Sequence, residues 1–366
     1  MPQRQRLVRT LLFVALAATV TLIMQEWVGE ATIYGSAMMD RRAELHQALM
    51  SNEPPPGATW RDLGSNGANI RIAAVRLAEW TVRYTPLDLR QAYKAIDSVF
   101  LFLSLVLLFV LLAGRDGPAY ALIGTLYLAM ILPLTYFLHY MQPWDRMSLL
   151  TWIAGIWLVA KARPGWLALW LVFGMIVKFD IVMLPGLYFL AWADRTNWKQ
   201  IALHTGLLFA LTFGIYFLLN WFVPYGTWPR DILAIMRGNV EAIRMHGLAY
   251  PPLLAFGLPM VLAAIGFRTA DRFARACVVF ALGLLGILFV LTNFQEIRAE
   301  VPEIVLLLPA ALHGLRRLLE PIETAAATLR PQGGGVVRAS HARGTYAQRA
   351  EIMADDFEVR RTDRAD

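Results

Sequence analysis

The sequence predicts an all-α polytopic membrane protein of about ten transmembrane helices, with a long first outer loop carrying membrane-parallel helices. Three observations lead there. First, 57% of the 366 residues are hydrophobic and only 17% are charged, whereas a soluble domain carries roughly 45–50% and about 25%. Second, apolar runs close to the ~20 residues needed to cross a bilayer recur along the chain. Third, Lys and Arg gather at the ends of those runs. The mean hydropathy of +0.49 agrees, and a soluble chain of this composition would leave large apolar patches in water. The same composition excludes a disordered chain, a collagen-like repeat and a disulfide scaffold. The single cysteine, Cys277, can form no intrachain disulfide and leaves the redox compartment open. The pI of 9.7 reflects charge flanking membrane spans, not an affinity for nucleic acid.

The first span, Leu7 to Gln25, follows Arg4 and Arg6. No small-residue cleavage site precedes Gln25-Glu26-Trp27, so it reads as an uncleaved anchor. Asp97 to Ala113, Pro118 to Leu138 and the short Ser148 to Ala160 follow. Pro164 to Ala193 is long for one crossing and is interrupted by Lys178-Phe179-Asp180. Basic residues flank both of its ends, Lys161 and Arg163 before and Arg195 and Lys199 after. It therefore reads as a hairpin, up through Val177 and down from Ile181, with Lys178 and Asp180 at the outer tip. The other reading is one kinked helix with a buried Lys–Asp pair. Ile201–Phe222, Pro251–Phe267, Ala276–Asn293 and a short Val301–Leu315 complete ten crossings.

With both termini inside, every short inner segment carries Lys or Arg, among them Arg115, Lys161, Arg195, Arg268 and Arg316. The positive-inside rule then predicts that both termini are cytoplasmic. Residues 1–316 form the transmembrane domain. Residues 317–366 read as a cytoplasmic tail, largely disordered beyond 330, where six arginines and six acidic residues share a stretch poor in apolar side chains.

The first outer loop, 26–96, is too long to lack structure of its own. Ala37–Met50 reads as a helix stopped by Pro54-Pro55-Pro56-Gly57. Ile70–Tyr84 reads as an amphipathic helix on the membrane surface, with Ile70, Ala74, Leu77 and Ala78 on one face and Trp80 and Tyr84 at the interface.

No Gly-x-x-x-x-Gly-Lys-[Ser/Thr], His-Glu-x-x-His, Gly-x-Ser-x-Gly or Cys-x-x-Cys occurs. What remains is a one-sided gathering of polar residues at the outer face: Asp40, Glu44, His46, His139, Asp145, Arg146, Lys178, Asp180, Arg237, Glu296, Arg298 and Glu300. Ionisable groups beside apolar spans point to function. Cations at such a surface can hold a lipid phosphate, while a carboxylate orients or deprotonates an attacking hydroxyl. Each residue also has a plain structural reading. Asp40 can pair with Arg41 or Arg42. Asp145 and Arg146 can close a turn before a helix capped by Ser148. Lys178 can snorkel, and Glu296 can pair with Arg298. Trp60, Trp144 and Trp228 are candidates for stacking on sugars.

In these residues the chain resembles the GT-C class of integral-membrane glycosyltransferases, of the bacterial, polyprenyl-phosphate-sugar dependent type. Carrying the resemblance are the long loop after the first span, Ser36-Ala-Met-Met-Asp40-Arg-Arg-Ala-Glu44-Leu-His46 within it, the Arg163-Pro164…Lys178…Pro185 hairpin, Gln142-Pro143-Trp144-Asp145 and Glu296-Ile-Arg298. Many members place two adjacent acidic residues at the first-loop site, where this chain has Met39-Asp40-Arg41. The resemblance implies a polyprenyl-phosphate-linked sugar donor and a glycan, lipid or protein acceptor, with Asp40 as the general base. Lys178, Arg298 and Arg146 would hold the phosphate. Asp145, Glu296, Asp180 and His139 would orient those cations or touch the sugar. No cofactor is required, although outer carboxylates are able to bind a divalent metal. Two other classes remain open: a lipid or polysaccharide transporter, which would place polar groups near the midplane, and a non-catalytic scaffold or assembly subunit.

Overall fold

The computed structural model describes residues 3–54, 56–57, 71–136, 142–222, 231–247, 250–292 and 296–328. Among them all regular structure is helical. Two units are distinguished. The first, Met1–Leu318, carries every contact discussed below; in the second, Leu319–Asp366, the described residues 319–328 are helical.

Thirteen α-helices follow in order: α1 Gln3–Ile23, α2 Ala37–Ser51, α3 Ile72–Tyr84, α4 Leu89–Asp116, α5 Pro118–Ile131, α6 Asp145–Ala160, α7 Pro164–Val177, α8 Leu184–Trp192, α9 Trp198–Phe222, α10 Ile232–His246, α11 Pro251–Gly266, α12 Arg272–Leu291 and α13 Ile297–Thr328. Among the described residues five segments are long and apolar enough to cross a membrane: Thr10–Tyr34, Leu89–Asp116, Pro118–Tyr136, Trp198–Trp221 and Arg272–Leu291; Ile232–His246 and Pro251–Gly266, bent at 83° to each other, reach the same length and hydropathy only when taken together. The chain is thus an α-helical membrane protein. α7 and the Phe179–Trp192 segment are apolar but shorter.

Local chemistry sets the boundaries. α1 runs into an 11-residue π-helix, Met24–Tyr34, so the first apolar helix ends well beyond the expected Gln25. π-helical stretches are rare and costly; here the wide turn packs Gly29 against Gln25 and Tyr34 and brings Tyr34 inward. The Ser36 side chain caps α2 by accepting from the Met38 amide at 3.2 Å. α2 ends at Asn52, which is left-handed at φ 59°. The stop is therefore an αL cap, not the proline run expected to terminate it. Asp88 and Gln91 form a reciprocal capping box at the start of α4. Pro118, Pro164 and Pro251 sit in first turns, where a missing N–H costs nothing.

The Pro164–Trp192 segment breaks at Lys178, whose backbone is extended, and continues through a 3-10 turn, Phe179–Met183. Its direction can be read against α6. Trp170 Nε1 donates to the Thr151 carbonyl (2.8 Å), Leu184 rests on Gly155, and Trp192 Nε1 donates to the Val159 carbonyl (2.7 Å). From 164 to 177 the chain climbs α6 toward its amino end, and from 184 to 192 it descends again. The chain therefore reverses at Lys178.

These contacts sort the ionisable residues onto two ends of the bundle. At one end, Arg115 pairs with Asp271 (2.5 Å), His313 Nδ1 lies 3.2 Å from Asp116, and Arg316 donates to the Asp116 carbonyl (2.7 Å). At the other, 19 residues back along α4, lies Asp97 with the groups described next. Two carboxylates, Asp97 of α4 and Glu303 of α13, are buried inside helices.

At the Asp116 end, beside His313, α11 and α13 approach backbone to backbone. A Cβ on Gly314 would strike the Leu262 carbonyl, and one on Gly266 the Ala310 carbonyl and the Gly314 amide. Small residues permit such contact, which is how helices associate where lipid removes the hydrophobic drive.

Candidate functional site

The Asp97 end is assembled from seven elements: the π-helix Met24–Tyr34, α2, α3, α4, the 3-10 turn Leu132–Tyr136, α6 and α13. α2 is buried along Met39, Arg42, Leu45, His46 and Leu49, a spacing of one helical face. That face carries Arg42 into the interior, where its Nη1 reaches Asp97 Oδ2 at 3.0 Å. Both side chains are almost wholly buried, at 2% and 1% exposure. The Tyr34 hydroxyl donates to the same oxygen at 2.5 Å. The Arg42 guanidinium also lies over the rings of Tyr34 and Tyr93 (5.7 and 5.2 Å).

His46, one turn on, ties three helices together. Its Nδ1 is 2.8 Å from the Tyr93 hydroxyl on α4, and its Nε2 is 3.2 Å from Glu79 on α3. Burial holds the imidazole below its ordinary value, outweighing the opposing pull of Glu79, and Arg76 adds to the lowering. The folded-state value therefore lies below the unfolded one of 6.5, and the unfolded chain binds the extra proton. Folding is favoured fully above that value, and stability falls as the buried imidazole is forced to take up a proton below it. The melting temperature of the purified protein should fall between pH 7 and pH 5, and His46→Gln should flatten that slope. An unchanged slope in the variant would assign the pH response to other groups.

A cleft opens next to Asp97. It is lined by Thr135 from the 3-10 turn Leu132–Tyr136, by Asp145, Arg146, Ser148 and Leu149 from α6, and by Arg298, Val301 and Pro302 from α13. Its water-accessible space is about 10 Å³, close to the room one water needs. Asp145 closes its own turn by accepting from the Gln142 amide (2.7 Å). Its other partner is Arg298, 3.3 Å away, and Arg298 in turn reaches Glu296 at 2.6 Å. Arg298 is thus held by two carboxylates.

Arg146 is different. It is 2% exposed, donates to Thr135 Oγ1 at 3.0 Å and lies 4.7 Å from the centre of the Tyr136 ring. Among the described residues it makes no ion pair within 4 Å, and its Nε has no partner. Asp97 and Asp145 act on it only through the wider field.

The structure thus brings Asp145, Arg146, Glu296 and Arg298 together. Lys178 pairs with Asp180 at 2.9 Å, and the charges of both are felt by Glu303 of α13. Glu303 is five residues after Arg298, about 140° around the helix. The hairpin tip therefore addresses a different face of α13 from the cleft. Asp40 is exposed in the first turn of α2, where a carboxylate suits the helix dipole. It has no polar partner among the described residues, and Arg42 pairs with Asp97 instead. His139, Trp60 and Trp228 lie outside the described residues. Trp144 does not face solvent as a sugar platform: it is fully buried, with Arg71 stacked 5.0 Å over it. Trp144, not Ser148, occupies the cap position of α6.

Sequence reasoning missed Arg42, Asp97, Tyr34, Thr135 and Glu303. Arg42 left one trace, its place on the apolar stripe of α2. Among the described residues no group of three or more His, Cys, Asp or Glu side chains is arranged to hold a metal ion. Compared with protein-family models, with curated proteins and with solved structures, the chain shows no match.

Proposed function

We propose that this chain is a GT-C-like glycosyltransferase that takes a sugar from a polyprenyl-phosphate donor at the outer face of a bacterial inner membrane. In this reading about ten helical segments enter the membrane, the hairpin and α6 included, and the loop helices lie along its outer surface. The Asp97 end faces outward. The Asp116 end, near Lys161, Arg195, Arg268 and Arg316, faces the cytoplasm, as positive charge does.

The observation that carries the reading is Arg146, a buried guanidinium with no ion pair beside a cleft. A desolvated cation needs an anionic partner, and a guanidinium matches a phosphate's geometry. Arg298, held in place by Asp145 and Glu296, supplies the second cation. During transfer an acceptor hydroxyl attacks the anomeric carbon. Its proton passes to Asp40, the bond to the phosphate oxygen breaks, and the electron pair stays on that oxygen, where the two arginines meet it. Lys178 and Asp180 steady the hairpin against α13.

The water-sized cleft favours a second reading, a non-catalytic subunit. One set of measurements separates the two. The full chain in lipid vesicles is expected to bind polyprenyl phosphate. Arg146→Gln should weaken that binding about 10–100-fold, the loss of one charged hydrogen-bonding partner, without changing the melting temperature markedly. Unchanged affinity in the variant would remove the phosphate assignment. Asp40→Asn should abolish transfer while leaving binding intact; binding without transfer in the parent would favour the subunit reading.

A further inference from the structure

The proposed transfer makes no use of α10. Its placement is unusual. α11 runs lengthwise beside α13, from Tyr250, which faces Glu300, to Gly266, which touches Gly314. The axis of α10 lies at 83° to α11, across the end of the bundle. It is fastened there by Asn239, whose Nδ2 donates to the carbonyls of Phe289 (2.7 Å) and Thr292 (2.9 Å). Those carbonyls stand at the close of α12, where a helix leaves acceptors unpaired. α12 is one of the five candidate spans, so α10 lies at the level where a span leaves the hydrocarbon.

Asn239 and Ala242 are buried, with Ile235 and Ile243 half-buried beside them. The next sector around the helix is an exposed apolar strip of Leu233 (64%) and Val240 (38%); Met245 (72%) is exposed on the far side, beyond the arginines. Arg237 follows Leu233 by one turn and Arg244 follows Val240 by one turn, so both guanidiniums border that sector. Both are exposed, and neither makes an ion pair among the described residues. The only acidic side chain within the helix is Glu241.

We infer that α10 is an in-plane anchor that binds an anionic lipid surface at the Asp97 end of the bundle. Leu233 and Val240 enter the acyl boundary, and Arg237 and Arg244 engage headgroup phosphates. An amphipathic helix lying across the ends of membrane spans, apolar on one flank and cationic along its border, has the chemistry of an interfacial helix. Lipid is the occupant to which the observations point, because the apolar sector sits beside a span terminus and its rim carries unpaired cations. The inference requires only that the protein resides in a membrane; it is independent of the transfer reaction.

The test uses the full chain. Cys277 is wholly buried, so Val240→Cys and Glu241→Cys can each be labelled with a small fluorophore. In bilayers of phosphatidylcholine and phosphatidylglycerol, spin-labelled lipid should quench position 240 at least about threefold more than position 241. Aqueous iodide should show the reverse preference. Equal quenching at the two positions, or stronger iodide quenching at 240, would overturn the inference; so would loss of lipid contact at 240 through burial against a second copy or another protein. Spin-labelled phosphatidylglycerol should also quench position 240 better than the phosphatidylcholine analogue. Arg237→Gln combined with Arg244→Gln should reduce that preference at least about fivefold. A preference unchanged in the double variant would overturn the role of the two arginines.

Discussion

Arg42→Leu is expected to destabilise the protein by about 3–5 kcal/mol, the cost of leaving a buried charge without its partner. The guanidinium and the Asp97 carboxylate are each at most 2% exposed, so water cannot replace the lost contact. Tyr34 would remain as donor to Oδ2, while Asp97 Oδ1 has no hydrogen bond even in the intact protein. Asp97→Leu alone should cost a similar amount, because it strands the arginine. The double variant should recover most of the loss, since two packed apolar side chains replace a pair whose own desolvation was expensive. Thermal unfolding in detergent checks all three. Single variants within about 0.5 kcal/mol of the parent would mean that the pair is solvated. The effect reaches function through geometry. Arg42 anchors α2 two residues beyond Asp40, so releasing it should lower transfer even where the fold survives.

Gly314→Leu should be comparably severe, at about 3 kcal/mol or more, the upper range for forcing bulk into a packed site. Even Gly314→Ala should destabilise, because the added carbon meets the Leu262 carbonyl, a backbone atom that no rotamer change can move. Gly286→Ala on α12 is the control. Nothing lies within 4 Å of a Cβ there, and an alanine in a helix is worth about 0.5–1 kcal/mol over glycine. The two alanine variants should therefore shift the melting temperature in opposite directions. Equal shifts would mean that α11 and α13 do not meet at their backbones.

The helices themselves were readable. Pro164 at the start and the Lys178-Phe179-Asp180 interruption delimit α7, because proline belongs in a first turn and a polar triplet ends an apolar helix. Tyr84 closes α3 as expected, but α4 begins at Leu89, behind the capping pair of Asp88 and Gln91, and not at the expected Asp97. Predictions failed where a local signal competed with a contact distant in the chain. Trp144 sits in a polar loop sequence, yet it is wholly buried beneath Arg71. Asp145 and Arg146 are neighbours in sequence, but Asp145 pairs with Arg298 and Arg146 pairs with no carboxylate.

The sequence by itself determined that this chain is helical and belongs in a membrane. Apolar periodicity, run length and flanking charge are properties of a segment, and they act on a segment wherever it finally lies. Tertiary structure alone decided which charges share an interior. Asp97 meets Arg42 across 55 residues and Arg298 meets Asp145 across 153. The physical reason is that a buried ion is tolerable only beside its counter-ion, and packed helices bring the two together at positions that no spacing rule records. The same packing left Arg146 buried with no carboxylate partner among the described residues.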